Sequence, residues 1–220
     1  MSKIILGMLL LLASPAIAKP IKGYYTMDAM GCMILQECTD GVVEIKKSKD
    51  IANFYKKYDM LEPMKTEFNE MMEALHKVGV KVYIAPEKYF PPGHRGVYHT
   101  VSNNFFLNGT LVKRYSTLMS VMRHEGWHAA QDCMAGTIKN SMIAIIHNEE
   151  DVPQLWRDIA EKTYADVPSS IPWEAEATWA GKTEGMTMKA LKACAAGNMW
   201  EVYEPTPLTK KWLKENGHIK

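Results

Sequence analysis

From residue 19 onward the apolar positions change period along the chain, and the period predicts the elements. Residues 19–41 keep neither a helical nor a strand period and are expected to be irregular, holding Tyr24, Tyr25 and two nearby cysteines. Val42–Ile45 suits a short strand. Helices are predicted over Lys49–Tyr58 and Glu62–Val78; in the second, Met64, Phe68, Met71, Met72 and Leu75 form one stripe, with Gly79 at the end. Val80–Ile84 alternates and reads as a strand. Pro86, Pro91, Pro92, Gly93 and Gly96 make a loop. Two more short strands are expected, Val97–Val101 and Asn103–Leu107, with a turn at Asn108-Gly109.

A long helix follows, with Ser116 expected as N-cap, Gly136 as the residue beyond the C-terminus, and no proline between them. Gly126 within it disfavours helix by roughly 1 kcal/mol relative to Ala and lets another segment pass close. Further helices are predicted over Ile138–His147, Val152–Tyr164, Pro172–Gly181 and Met186–Ala196, and a polar tail with Trp212 closes the chain. Neither a repeat nor a dividing linker is visible. The expected fold is α+β, a small mixed or antiparallel sheet in the N-terminal half followed by a mainly helical second half, residues 19–220 forming one domain.

Residues 1–18 stand apart. Lys3 precedes an apolar run, Ile4–Leu12, and Ala16-Ile17-Ala18 supplies an A-x-A cleavage site. The expectation is a signal peptide and a secreted or periplasmic protein without stable membrane insertion, since no later apolar stretch is long enough to span a bilayer. In an oxidising compartment four cysteines suggest two disulfides, with three connectivities open. Proximity favours Cys32 with Cys38, which leaves Cys133 to join Cys194. A net charge of +1 and the lack of any basic block argue against nucleic acid as a partner. The 16 methionines are scattered and read as core filler.

Candidate chemistry centres on His124-Glu125-Gly126-Trp127-His128. Residues four apart on a helix share a face, so both imidazoles can reach one ion, and Glu125 can hold a water beside it. A catalytic zinc site usually takes three protein ligands. The metzincin pattern is excluded, because Gln131 and Met134 stand where it needs Gly and His. Asp132 lies about 12 Å along the helix from His124, too far for all three side chains to share an ion comfortably. The remaining source is the helix Pro172–Gly181. Glu174 shares a face with Ala177, Thr178 and Gly181, small enough for close approach; Glu176 lies among Trp173, Trp179 and Ala180. Glu174 is therefore the expected third ligand, with Glu176 pointing away from the histidine helix.

This pairing, His124-Glu125-Gly126-Trp127-His128 and then Glu174-Ala175-Glu176-Ala177-Thr178, resembles the gluzincin metallopeptidases. The likeness covers the central helix, the strand region before it and the glutamate helix, about a third of the chain. It implies a zincin-type active-site helix, zinc held by His124, His128 and Glu174, and a zinc-bound water activated by Glu125 as general base, with a peptide or protein as substrate. A Tyr or His usually holds the oxyanion in such enzymes, which makes His147, Tyr164 and His99 candidates. Thr178 stands where family members often carry Asp or Asn to orient a histidine, and with Asp132 and Glu176 it is expected behind the ligands. The strand Asn103–Leu107 is expected to take an extended peptide along its edge. Two other classes fit the same residues: a secreted binding or virion-type module with a structural zinc, and a zinc hydrolase of a non-peptide amide.

Overall fold

The computed structural model describes residues 27–55, 60–136, 142–203 and 214–217. The expected signal peptide and Trp212 lie outside them. Strands β1 (Val43–Ile45), β2 (Lys81–Ala85), β3 (Gly96–His99) and β4 (Asn104–Asn108) form one sheet in the order β1-β2-β4-β3. β1 and β3 pair antiparallel with their neighbours, while β2 and β4 run parallel with Val82 opposite Phe105. The sheet is mixed because β3 folds back as a hairpin onto the outer side of β4, and Asn103 takes a left-handed φ of 53° in that turn. All five residues of β4 are buried, as a central strand's Asn-Phe-Phe-Leu-Asn run requires.

The helices are α1 (Met27–Ile34), α2 (Ser48–Phe54), α3 (Met64–Lys77), α4 (Tyr115–Met134), α5 (Gln154–Thr163), α6 (Ile171–Lys182), α7 (Met186–Ala196) and α8 (Met199–Val202). The stripe Phe68, Met71, Met72 and Leu75 turns α3 into the core. α4 is enclosed on most of its circumference by β3, α3, α6 and α7. Its buried polar residues, Glu125, His128, Gln131 and Asp132, therefore need partners inside the protein. The α+β expectation is borne out, as is the capping of α4 by Gly136, whose φ is 123°. The start of α4 falls slightly earlier than expected, with Arg114 at the N-cap and Ser116 in the first turn. Gly126 admits α7, since a Cβ there would lie 3.0 Å from Thr187 Cγ2.

Both disulfides pair as expected, Cys32–Cys38 (Cα–Cα 5.2 Å) and Cys133–Cys194 (6.0 Å), the second joining the end of α4 to α7. No helix among the described residues is long and apolar enough to cross a membrane.

Two expectations are corrected. Residues 19–41 contain a helix, α1; its Met30 and Met33 are buried three residues apart against Tyr89, Phe90 and Phe106, a stripe too short to stand out in the sequence. Within the helix expected at Ile138–His147, residues 142–147 are not helical, and 137–141 lie outside the described residues. The segment runs as an irregular strap because its amides bond elsewhere: Ala144 N–H to Gln131 O (3.0 Å), and Ile146 and His147 N–H to the Glu176 carboxylate. Side-chain and interhelical acceptors outcompete the i→i−4 ladder there.

Candidate metal centre

His124 and His128 project from one face of α4, with ring centroids 4.9 Å apart. The third member comes from α6. Gly181 sets the approach: a Cβ there would lie 3.0 Å from Ser120 O and 3.2 Å from His124 Cβ, so only glycine lets the helices come this close. Ala177 and Ala180, both fully buried, complete the seam. Glu174 then places Oε2 3.2 Å from His124 Nε2 and 3.6 Å from His128 Nε2. One ligand atom from each of the three residues lies within 4.8 Å of the others, so the group could hold a metal ion.

The donors suit such an ion in a further respect. Glu174 Oε2 is buried with no hydrogen-bond partner, an expensive position for an acceptor unless a cation or proton satisfies it. Burial opposes charge on His128, but Glu174, Glu125 and Gln131 outweigh it and raise its pKa to about 9. Burial likewise acts against the Glu174 carboxylate, and the two histidines overcome it, holding the group well below the usual range. The cluster thus favours a positive charge between its members.

The orientation of His128 comes from Gln131, one turn further along α4. Gln131 Nε2 donates to Glu176 Oε2 (2.7 Å) and to Trp173 O (3.3 Å), both acceptors, so its carbonyl Oε1 must face His128 Nδ1 (2.8 Å). Nδ1 therefore donates, which leaves Nε2, on the Glu174 side, as the nitrogen that binds an ion once the ion displaces its proton. The only signal in the sequence is that Gln131 follows His128 by three positions, on the same side of the helix. Thr178 is half-buried, and the orienting bond expected of its position is made by Gln131 instead.

Glu176 overturns one expectation. It faces the histidine helix as Glu174 does, accepting from Trp127 Nε1 (3.3 Å), Gln131 Nε2, and the amides of Ile146 and His147. Ala177 and Ala180 form the middle of the docked face, and the two glutamates straddle it, each long enough to reach α4 from its own flank. Burial raises the Glu176 pKa, against the four donors that pull it down.

Glu125 is buried beside the cluster. Its carboxylate receives the backbone N–H of Tyr98, and burial raises its pKa against the pull of the two histidines. It packs on Gly96, where a Cβ would lie 3.0 Å from Oε1 and 3.1 Å from Cγ. Both contacts come from β3, which corrects a second expectation. Asn103–Leu107 falls on β4, whose two sides are taken by β2 and β3; the sheet edge beside Glu125 is β3. Asp132 does not join the ligands and instead accepts from the Tyr98 hydroxyl at 2.7 Å. Burial raises its pKa to about 7, although the Tyr98 hydroxyl opposes the shift.

Of the three candidate oxyanion donors, Tyr164 is the one brought to the cluster. Its hydroxyl interacts with the Glu174 carboxylate, and burial with that neighbouring charge raises its pKa, so it stays protonated. His147 is stacked on Trp127 (5.7 Å between centroids, 5° between planes) and boxed by Trp179 and Tyr203. His99 sits at the end of β3 with Nδ1 2.8 Å from Ser102 Oγ. No protein-family model, curated protein or solved structure matches the chain.

Proposed function

We propose that this protein is an exported, zinc-dependent metallopeptidase of the gluzincin kind. The observation that carries the reading is the placement of Glu125: a buried carboxylate outside the ligand set, next to a two-histidine, one-glutamate cluster. A cluster that only tied two helices together has no use for such a group. Two imidazole nitrogens and one carboxylate oxygen are the donor set of many catalytic zinc sites, which keep a fourth position open. Zinc bound there supplies Lewis acidity, polarising a carbonyl oxygen and bringing the pKa of a water close to neutrality.

The chain's own residues account for the rest. Glu125, its pKa raised by burial, takes a proton from water and returns it to the departing amine. The Tyr98 amide and the Gly96 backbone hold that carboxylate in place. Tyr164 stands beside Glu174 as a donor to a developing oxyanion. Two disulfides suit the oxidising compartment that export implies.

The test is metal analysis and cleavage of a peptide library by wild type and Glu125→Gln. We expect close to one equivalent of zinc in both and cleavage by wild type alone. Equal cleavage by the two would refute the assignment of the base, and a wild type that takes up no zinc would refute the class.

A further inference from the structure

On a different face of α6 from Glu174 lies a cavity of about 300 Å³, bounded also by α5 and by the strap after α4; none of His124, Glu125, His128 and Glu174 lines it. Ile145, Val152, Ile171 and Pro172 give it an apolar wall. Arg157 enters from α5 in an unusual state for an arginine: its Nε is buried with no hydrogen-bond partner. Nη2 donates to Gln154 Oε1 (2.6 Å), and Gln154 is held in turn by Asp158 (2.6 Å), so the guanidinium is fixed in position. Among the described residues no carboxylate lies within ion-pair distance of it. The same lining carries three exposed carboxylates, Glu149, Glu150 and Glu161, on its solvent side. Glu176 also borders the space, but its oxygens are taken by the four donors described above.

We propose that this cavity binds a free apolar α-amino acid. Its carboxylate meets the fixed guanidinium of Arg157, its ammonium the rim of Glu149, Glu150 and Glu161, and its side chain the aliphatic wall. A simple anion would satisfy Arg157 and be repelled by three carboxylates; a simple amine would satisfy the rim and leave the Arg157 charge without a counterion. A zwitterion answers both. The volume lies at the small end of ligand pockets, which run from about 300 to 1,000 Å³. It suits one amino acid and not a peptide.

The experiment is isothermal titration calorimetry of the full chain with L-leucine, L-leucinamide, which lacks the carboxylate, and 4-methylpentanoate, which lacks the ammonium. Leucine is expected to bind one to one, with both analogues weaker by about 10- to 100-fold, the worth of one charge-assisted hydrogen bond. Arg157→Met, on a largely exposed helix, should keep the wild-type melting temperature and lose leucine by the same factor. A variant with Glu149, Glu150 and Glu161 all changed to Gln should weaken leucine and strengthen 4-methylpentanoate. Glu174→Ala, which dismantles the metal cluster, should bind leucine as wild type does. No saturable heat with leucine at millimolar concentration, unchanged binding in Arg157→Met, or 4-methylpentanoate matching leucine would each overturn the proposal. Hydrolysis plays no part in the readout, so failure here leaves the metallopeptidase reading untouched, and the reverse also holds.

Discussion

Replacing Glu176 by Leu tests the least expected part of the site. The substitution keeps an apolar side chain of similar reach and removes the only acceptor shared by Trp127 Nε1, Gln131 Nε2, and the amides of Ile146 and His147. Gln131 keeps a second acceptor in Trp173 O, and the Trp127 bond is long at 3.3 Å. The two strap amides bear most of the loss. An unsatisfied buried donor costs roughly 1–3 kcal/mol, so two give about 2–6 kcal/mol. Relief of a desolvated carboxylate offsets part of this, which leaves about 3 kcal/mol. Glu176→Gln should cost less, about 1–3 kcal/mol. Its carbonyl can serve the three donors now on Oε2 while its NH2 faces the His147 amide. Urea unfolding gives the totals, and hydrogen exchange localises them: Ile146 and His147 amides should lose protection first, ahead of α4. Zinc affinity should fall about 10- to 100-fold, because Gln131 loses the anchor that sets the His128 tautomer. Unchanged exchange at Ile146 and His147 in both variants would refute the argument that Glu176 pins the strap.

Three further outcomes follow from the same geometry. Glu174→Ala removes a ligand outright, and zinc retention under dialysis should collapse well beyond the loss in Glu176→Leu; equal retention in the two, by elemental analysis, would reverse their roles. Gly96→Ala drives a methyl into Glu125 Oε1 and Val121 Cγ1, and should cost about 1–3 kcal/mol in unfolding assays while lowering turnover with zinc content unchanged. The Asp132 pKa is about 7 in the fold against 3.8 in a free chain, so the folded state binds the extra proton between those values and stability falls as pH rises through them, levelling above 7. The stability of Asp132→Asn relative to wild type should therefore improve by about 2–4 kcal/mol from pH 4 to pH 8; a difference independent of pH would rule this out.

Much of this protein was legible from residue order because the relevant physics is local. The four-residue spacing of His124 and His128 puts both rings on one side of any helix, and the small residues Ala177, Thr178 and Gly181 announced a face able to press closely on another. The cysteine pairing followed from proximity, and the strands from alternation. Tertiary structure decided what local period cannot report, namely which neighbour each face meets and how far a side chain reaches. Period placed Glu174 and Glu176 on opposite flanks of α6; only the docked pair of helices shows both flanks reaching α4, one at the cluster and one beneath it. Residues 142–147 leave the helical ladder because acceptors from α4 and α6, distant in sequence, claim their amides. The edge beside Glu125 is β3 and not β4, since strand order depends on how a hairpin folds back over a parallel pair. The role of Gln131 toward His128 is not written in residue order, because the direction of its amide is set by Glu176 and Trp173, 45 and 42 residues away along the chain.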